Sequence, residues 1–279
     1  MKVDLVMWTM NGAKYLPIVL KRIDMVIPYE NINRRILVDD HSIDRTVEVA
    51  KDFNWEVYIN PETGIPSGAN KAFKHVEMDY FVSLEQDLVL AGDWWEKIPK
   101  YMEDEKVAVA QGIRLATQEV LRKLDEYHYS RIGKSGDILR DLIRLGGISL
   151  DNNIIRTKVI KELGGFPTSC PVCMDINLMR KIISETNYKW IMDKNVISDH
   201  IRSSIFGEAR HLYNAMCRCA NTSYCGTPIQ TGFRTLLLSP GRGILLTASK
   251  RCPELFFAYP LIRAYKFKGQ LVRRKQKHV

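Results

Sequence analysis

The fold is decided by YFVSLEQD, residues 80–87, an apolar strand-like run that ends in two acids separated by one residue. Open α/β sheets bind their ligands beyond the carboxyl ends of the strands, which is where Glu85 and Asp87 are expected. The backbone must turn there, because alternate residues of a continued strand point to opposite faces. Carboxylate oxygens suit Mg²⁺ or Mn²⁺ bound with a phosphate-bearing substrate, but acids also occur at ordinary strand-to-loop corners.

Strands and helices alternate along the chain around this stretch. Apolar runs predict strands near residues 3–7, 35–38, 55–59, 80–84, 107–111, 148–155 and 190–197, and helical spacing predicts helices between most of them. This alternation is typical of a mostly parallel sheet with right-handed crossovers. The predicted fold class is therefore α/β, a Rossmann-like, mostly parallel sheet flanked by helices. Residues 113–147 break the rhythm, and we interpret them as an inserted or lid-like segment.

Composition and charge limit the classes of function. The chain has 279 residues, of which 46% are hydrophobic, so it can bury a large core. Its net charge of +9 is concentrated in residues 263–279, which hold seven Lys or Arg and no acid and leave 34 basic against 32 acidic residues elsewhere. A basic tail suits an anionic membrane surface at least as well as a nucleic acid, and we expect no nucleic acid partner. With no signal-like start and no long apolar run, a cytoplasmic location is expected.

Six cysteines are present, and in a cytoplasmic chain they are expected to be reduced. Cys170 and Cys173 have the C-x-x-C spacing of redox and zinc sites. The other cysteines include no second C-x-x-C pair. We therefore expect ordinary buried thiols, with a disulfide and a structural zinc site as the alternatives.

Three motifs lie between the predicted strands in a characteristic order. They are WTMNG at 8–12, VDDHSIDRT at 38–46, and LGGF at 163–166 followed by MDINLMR at 174–180. With Asn70 and residues 85–87, they resemble the family 2 glycosyltransferases of GT-A fold, whose motifs are PTYN, VDDGSxDxT, DxD, and LGGF with EDxxLxxR. The resemblance covers roughly residues 3–202.

The resemblance implies a binding site for a nucleoside diphosphate sugar, with a UDP-sugar favoured. The residues expected to bind it are Thr9, Asn11, Asp39, Asp40, Asn70, Glu85 and Gln86. Among them, Asp40 is expected to accept a hydrogen bond from the nucleobase. The alternative is that Asp39 and Asp40 only cap the helix that follows them.

The resemblance also implies a metal site and a catalytic base. Asp87 is expected to bind Mn²⁺ or Mg²⁺ against the diphosphate, with Glu85 and His200 as further ligands. Asp175 matches the base, and one carboxylate suffices for an inverting displacement because no enzyme nucleophile is needed. Asp175 can instead act only as a helix cap, and His200 only as a structural or solvent-facing residue.

Four residues depart from the family motifs. Trp8 replaces Pro, His41 replaces Gly, Glu85 replaces the first Asp of DxD, and Met174 replaces the Glu before the base. Glu85 keeps the charge on a longer side chain. Met174 removes a carboxylate that would raise the proton affinity of its neighbour, so the tuning of Asp175 is an open question.

The predicted division of the chain has two parts. Residues 1–202 form a GT-A catalytic domain, with a nucleotide-sugar half at about 1–112 and an acceptor half at about 113–202. Residues 203–279 form a helical extension. In it, PELFFAYPLI at 253–262 precedes the basic tail, as in an interfacial anchor, although the aromatics can equally pack on the protein. We expect peripheral association with the inner face of the cell membrane and a glycan or lipid-linked acceptor.

The predicted function is a metal-dependent inverting glycosyltransferase, a hexosyltransferase acting on an acceptor hydroxyl. One alternative is a nucleotidyltransferase, but that reading needs a Gly-rich, basic phosphate loop after the first strand, and residues 8–12 contain one Gly and no Arg. Another is a sugar-nucleotide-binding module without catalysis, which the four departures motivate.

Overall fold

The computed structural model describes residues 1–134, 141, 147–170, 172–202, 204–218 and 229–276. Within them one sheet contains eight strands in the order β3-β2-β1-β4-β7-β6-β8-β5. The strands are β1 Val3–Thr9, β2 Ile32–Asp39, β3 Glu56–Ile59, β4 Tyr80–Leu84, β5 Leu88–Val89, β6 Val107–Ala116, β7 Asn152–Arg156 and β8 Lys189–His200.

The first four strands are parallel, and both faces of their sheet are covered. Val3, Leu5 and Met7 of β1 belong to one buried apolar cluster, whereas Val6 and Trp8 belong to another. Successive side chains of a strand point to opposite faces, so each cluster lies on its own face of the sheet. Because both faces are buried, β1 has the continuous apolar sequence of an internal parallel strand.

The other half of the sheet contains antiparallel pairs. β7 is antiparallel to both β4 and β6, and β5 is antiparallel to β8. The predicted α/β fold class is confirmed, with parallel order in β1 to β4. The α-helices are α1 Leu16–Val26, α2 Thr46–Asp52, α3 Ile65–Phe73, α4 Trp94–Lys97, α5 Glu119–Tyr129, α6 Thr157–Glu162, α7 Met174–Glu185, α8 Ile205–Arg218, α9 Ile229–Leu237, α10 Ser239–Lys250 and α11 Leu255–Gln276.

The chain divides into two compact units. The first unit contains Met1–Arg114, Ile148–Ser169 and Met174–Ile201, and the second contains Leu115–Gly147, Cys170–Cys173 and Arg202–Val279. Residues 115–147, which the sequence assigned to the acceptor half of the catalytic domain, are thus grouped with the C-terminal helices. The functional division into a catalytic domain and an extension stays a prediction.

The second unit has its own apolar core. Buried residues of α5, α8, α10 and α11 form one cluster, and Leu121, Ala209, Leu255 and Tyr259 are at most 1% exposed. The helical C-terminal extension expected from the sequence is therefore a packed helical body that also includes α5. Among the described residues, no helix is both long and apolar enough to cross a membrane. The side chains of the basic run at 273–277 lie outside the described part.

The expectation of reduced cysteines is wrong for one residue. Cys170, which is fully buried, is disulfide-bonded. Cys217 and Cys252 are free thiols, as expected, and Cys219 and Cys225 lie outside the described residues. Neither the compartment nor the spacing of cysteines along the chain reports which side chains meet in space, so neither could predict this disulfide.

Candidate active site

Two connections that follow β1 and β2 form one side of the site, and hydrogen bonds hold them together. The backbone N–H of Gly12 donates to Thr46 Oγ1 at 2.7 Å, and that of Ala13 donates to Asp44 Oδ2 at 3.1 Å. The N–H of Ile43 donates to Asn11 Oδ1 at 3.0 Å. The Asp44 and Thr46 side chains of the sequence motif therefore fix the shape of the β1–α1 loop.

Asn11 and His41 adopt left-handed backbone conformations at this loop pair, with φ of 52° and 61°. Glycine populates that region without steric cost, and Asn and His tolerate it better than most residues. The backbone conformation at His41 is therefore one that a glycine, the family's residue at this position, also adopts.

Asp39 and Asp40 end β2 and have different surroundings. Asp40 Oδ1 accepts from Asn60 Nδ2 at 2.7 Å, and its Oδ2 accepts from the N–H of Gly64 at 3.0 Å. Asp39 is buried, and its Oδ2 accepts from the N–H of Ser42 at 2.9 Å. Its other oxygen is also buried but receives no hydrogen bond from any described residue. That oxygen is an acceptor suited to a hydroxyl or N–H donor of a ligand.

Gln86 joins the carboxyl end of β4 to that of β1. Its Oε1 accepts from Thr9 Oγ1 and from the N–H of Met10, and its Nε2 donates to the Met10 carbonyl at 3.2 Å. A Cβ on Gly12 would lie 2.6 Å from Gln86 Oε1, so the glycine is required for this contact. Thr9 and Gln86 are therefore brought together as the sequence predicted, but as partners of each other.

Asn70 lies on α3 and holds the turn formed by LGGF. Its Nδ2 donates to the Phe166 carbonyl at 3.0 Å, and its Oδ1 accepts from the Phe166 N–H at 2.9 Å. Nδ2 also donates to the Pro66 carbonyl at 2.9 Å. The amide is thus occupied by backbone groups, and Asn70 is not part of the acidic group at the end of β4.

Glu85, Asp87 and His200 form a candidate metal site. One ligand atom from each lies within 4.8 Å of the others, and no other group of three or more such residues occurs in the described part of the chain. His200 Nε2 lies 3.4 Å from Asp87 Oδ2. Pairing of β5 with β8 places His200 opposite Leu88, the residue after Asp87. This pairing brings the end of β8 close to Glu85 and Asp87.

Comparison with known proteins identifies the family. The profile of glycosyl transferase family 2 matches residues 4–164. The chain belongs to glycosyl transferase family 2. A search of curated protein sequences finds no significant match.

Solved structures similar to this glycosyltransferase agree with the fold. A mannosyltransferase from Pyrobaculum calidifontis, in complex with GDP-Man and Mn²⁺, has a TM-score of 0.68 and 16% identity, with 99% of this chain and 88% of that chain covered. S. aureus TarS 1–349 in complex with UDP has a TM-score of 0.56 and 15% identity over 99% and 92%. Glucosyl-3-phosphoglycerate synthase from Mycobacterium tuberculosis, in complex with phosphoglyceric acid, has a TM-score of 0.58 and 12% identity, with 81% of each chain covered. The fold class and the GT-A resemblance are confirmed.

Two further residues, Arg114 and Asp151, lie in the candidate site and were not found from the sequence. Arg114 Nη1 forms a salt bridge with Asp151 and lies 3.7 Å from Glu85 Oε2. The antiparallel pairing of β6 with β7 brings the end of one strand beside the start of the other, and so brings these two residues together. A charged residue at each strand end was the available signal, but neither lies in a motif.

The electrostatics of the acidic group fit a bound cation. Burial and the charge of Asp151 raise the pKa of Glu85 well above its usual range, against the opposing effect of Arg114. Burial also acts to raise the pKa of Asp87, but the hydrogen bond and charge of His200 outweigh it and lower that pKa. Repulsion among these carboxylates would be relieved by a divalent ion, and carboxylate donors suit Mn²⁺ or Mg²⁺.

Asp175 lies in the first turn of α7 and has a raised pKa. Burial raises its pKa to about 6, with Asp151 adding to the rise and the Ile176 N–H and Arg114 opposing it. The N–H of Ile176, in the first turn of the helix, donates to Asp175 Oδ1 at 2.7 Å. A base with a pKa near neutrality combines an ionised state with useful proton affinity.

Proposed function

We propose that this glycosyltransferase is metal-dependent and inverting, and that it transfers a hexose from a UDP-sugar to an acceptor hydroxyl. The observation that carries the proposal is that ligand atoms of Glu85, Asp87 and His200 lie within 4.8 Å of one another. The charge of Asp175 also acts on Glu85. The family and fold support a nucleotide-sugar donor, and structures of similar fold contain UDP or GDP-Man, in two cases with Mn²⁺.

Asp175 removes the proton of the acceptor hydroxyl in the proposed reaction. The acceptor oxygen attacks the anomeric carbon on the face opposite the diphosphate, while the bond between that carbon and the phosphate oxygen breaks. The electron pair of the broken bond leaves with the nucleoside diphosphate, and the configuration inverts in one displacement. Arg114 is held by Asp151 and Glu85, so its charge balances part of the acidic group.

Other residues of the chain would bind the metal ion and the nucleoside. Asp87, with Glu85 and His200, would hold Mn²⁺ or Mg²⁺, which when bound neutralises charge on the departing diphosphate. Asp39 offers its unsatisfied buried oxygen to the nucleoside. Asp40 retains acceptor capacity for the base beyond its bonds to Asn60 and Gly64, because a carboxylate has about four acceptor directions.

The first experiment tests donor, metal and base together. Nucleoside diphosphate sugars are screened by thermal shift with Mn²⁺ or with chelator, and release of nucleoside diphosphate is measured for the best donor. We expect the UDP-sugar to raise the melting temperature more with Mn²⁺, because a ligand that binds only the folded state stabilises it. Asp87→Asn should lose the Mn²⁺-dependent part, whereas Asp175→Asn should keep it and lose product release.

The matched control is Asp52→Asn, an exposed acid on α2 with the same change of charge, which should behave as wild type. Equal stabilisation in chelator would contradict the metal requirement, and product release by Asp175→Asn would contradict its role as base. A protein that binds the donor without any turnover would be the non-catalytic module. Formation of a nucleoside diphosphate sugar from a nucleoside triphosphate and a sugar 1-phosphate, with release of pyrophosphate, would identify a nucleotidyltransferase.

A second proposal concerns location. We propose that the second unit associates with an anionic membrane surface at the inner face of the cell membrane, where a lipid-linked acceptor would be met. Large apolar residues of its last helices are exposed, among them Leu237 at 63%, Leu245 at 69% and Phe257 at 74%. Apolar residues beside a basic tail favour interfacial binding.

A further inference from the structure

The second unit contains a cavity of about 400 Å³ among its helices. Its walls come from the end of α5 and the turn after it, and from α9, α10 and α11. The lining residues are Tyr127, His128, Arg131, Thr231, Gly232, Arg234, Thr235, Leu238, Arg242, Tyr259, Arg263, Lys266, Phe267 and Gln270. This volume is within the range of about 300–1,000 Å³ that is usual for small-molecule sites.

The cavity has a strongly positive lining. Among the described residues that line it, five are cationic and none is a carboxylate, the cations being Arg131, Arg234, Arg242, Arg263 and Lys266. In the described part of the chain none of the five forms a salt bridge, although basic residues nearby, such as Lys250 with Glu126, do. Like charges around one cavity repel each other, and the repulsion is strongest where water is excluded. A bound anion would remove that cost.

Arg263 is the residue best placed to contact such an anion. Its guanidinium lies 4.8 Å from the centre of the Tyr259 ring, and Nη2 lies 3.4 Å from His128 Nε2. Its Nε is buried and has no hydrogen-bond partner among the described residues. Burial and the charge of Arg263 lower the pKa of His128 to about 3, so the imidazole is neutral at pH 7 and accepts from Arg263. The Nε–H of Arg263 is therefore a donor that no described residue uses.

We propose that this cavity binds a phosphate-bearing anion, a phosphate monoester or a diphosphate. Guanidinium groups match phosphate oxygens with two parallel hydrogen bonds, and four of the five cations are arginines. Five positive charges exceed what a single carboxylate would neutralise but suit a phosphate group of two or more negative charges. The site goes beyond the proposed function and does not depend on it, since every lining residue belongs to the second unit.

Calorimetric titration with inorganic pyrophosphate tests the site. The titration is done in chelator, because without a cation the acids of the donor site repel the probe. We expect saturable one-to-one binding by the full chain. Arg242→Gln and Arg263→Gln should each raise Kd about tenfold or more, since charge-assisted hydrogen bonds are among the strongest. Arg242→Lys, which keeps the charge, should bind more tightly than Arg242→Gln.

The matched control is Arg210→Gln, which removes an exposed arginine of α8 outside the cavity and should leave Kd unchanged. Melting temperatures separate loss of a ligand contact from loss of the fold. Whatever their melting temperatures without ligand, the two cavity variants should lose the pyrophosphate-induced shift. A cavity variant that is less stable yet shifts as wild type does would mean a purely structural cluster, and would overturn the proposal.

Vesicle binding then distinguishes a lipid phosphate from a soluble one. Vesicles containing phosphatidic acid present a phosphate monoester, and vesicles with phosphatidylserine of matched surface charge present none. A lipid source predicts that the cavity variants lose binding to phosphatidic acid only. A soluble source predicts that they lose pyrophosphate binding but bind both vesicles as wild type does. The site does not exist if the wild-type chain binds neither probe saturably, or if the cavity variants and Arg210→Gln behave alike in both assays.

Discussion

Asp151 and Met174 together explain how Asp175 is tuned without the acid that usually precedes the base in this family. Met174 is only 3% exposed and packs in an apolar cluster, so position 174 contributes burial in place of charge. The negative charge beside Asp175 comes from Asp151 instead, on a different element. The sequence departure is therefore compensated in space, and the carboxylate still has a raised pKa.

We predict an acid limb in the pH dependence of transfer. Because the pKa of Asp175 is raised from 3.8 to about 6, kcat/KM should fall as the pH drops through about 6, when the base becomes protonated. An ordinary aspartate would stay ionised down to a pH of about 4. The profile is measured at saturating Mn²⁺ with the best donor. A profile that is flat between pH 5 and about 8 would contradict this role.

The same shift affects stability, with a definite sign. In chelator the folded state binds the Asp175 proton more tightly than the unfolded state, so wild type loses stability as the pH rises from about 4 to about 6. Asp175→Asn should therefore unfold with a free energy higher by on the order of 1 kcal/mol at pH 7.5, and the difference should vanish near pH 4. The free energy of unfolding of Asp52→Asn, at an exposed position, should stay within about 0.5 kcal/mol of wild type at both pH values.

More of the secondary structure could be predicted from the sequence than of the contacts between its elements. Residues 80–84 were predicted as a strand from their apolar run, and β4 has those bounds. The placement of Asp87 and Asp175 followed from motifs. Arg114 and Asp151 could not be found in this way, because their meeting depends on antiparallel pairing of β6 with β7. A sequence pattern gives the direction of side chains within a strand, but not which strand lies beside it.

Asn70 and Gly165 show the same limit for a single turn. The sequence predicted that the glycines of LGGF relieve backbone strain, and φ is +75° at Gly164 and +105° at Gly165. It could not predict that a Cβ on Gly165 would lie 2.5 Å from Asn70 Oδ1, whereas a Cβ on Gly164 has no atom within 4 Å. Gly165 therefore allows the close approach of the turn to Asn70 of α3, whereas Gly164 serves only the backbone conformation of the turn.

A double-mutant cycle tests this link between α3 and the turn. Gly164→Ala should cost about 1–2 kcal/mol in the free energy of unfolding, from its backbone conformation alone. Gly165→Ala should cost more, because the clash with Asn70 adds to the strain. Asn70→Ala should cost about 1–3 kcal/mol through the lost bonds to Phe166. In the Asn70→Ala background, Gly165→Ala should cost only as much as Gly164→Ala, and strict additivity in denaturant unfolding would refute the contact.

At the scale of the whole molecule, the two units differ in the chemistry that they expose. The first holds the acidic group of the candidate active site, and the second holds the cationic cavity and the exposed apolar residues of its last helices. The net charge of +9 indicated an anionic partner, and most of the excess was assigned to the tail. The net charge could not reveal the cavity, because Arg131, Arg242 and Arg263 are apart in the chain and come together only when the helices pack.

Membrane association must be tested with the full chain. Removal of residues beyond about 252 would be an ambiguous experiment, because α11 supplies Leu255 and Tyr259 to the core of the second unit. The same helix exposes 74% of Phe257, and α10 exposes 69% of Leu245. Exposed side chains can be changed without loss of buried area, so they report on binding to a surface and not on folding.

We predict that Phe257→Ser and Leu245→Ser each reduce sedimentation with phosphatidylserine-containing vesicles, lowering the partition coefficient about tenfold for a fully inserted side chain. Met25→Ser is the matched control, because Met25 of α1 is also 69% exposed but lies in the first unit. Binding should weaken with added salt if the basic tail contributes, since surface charges are screened. If both variants sediment as well as wild type and Met25→Ser, these helices do not contact the membrane, and the exposed apolar residues require another explanation.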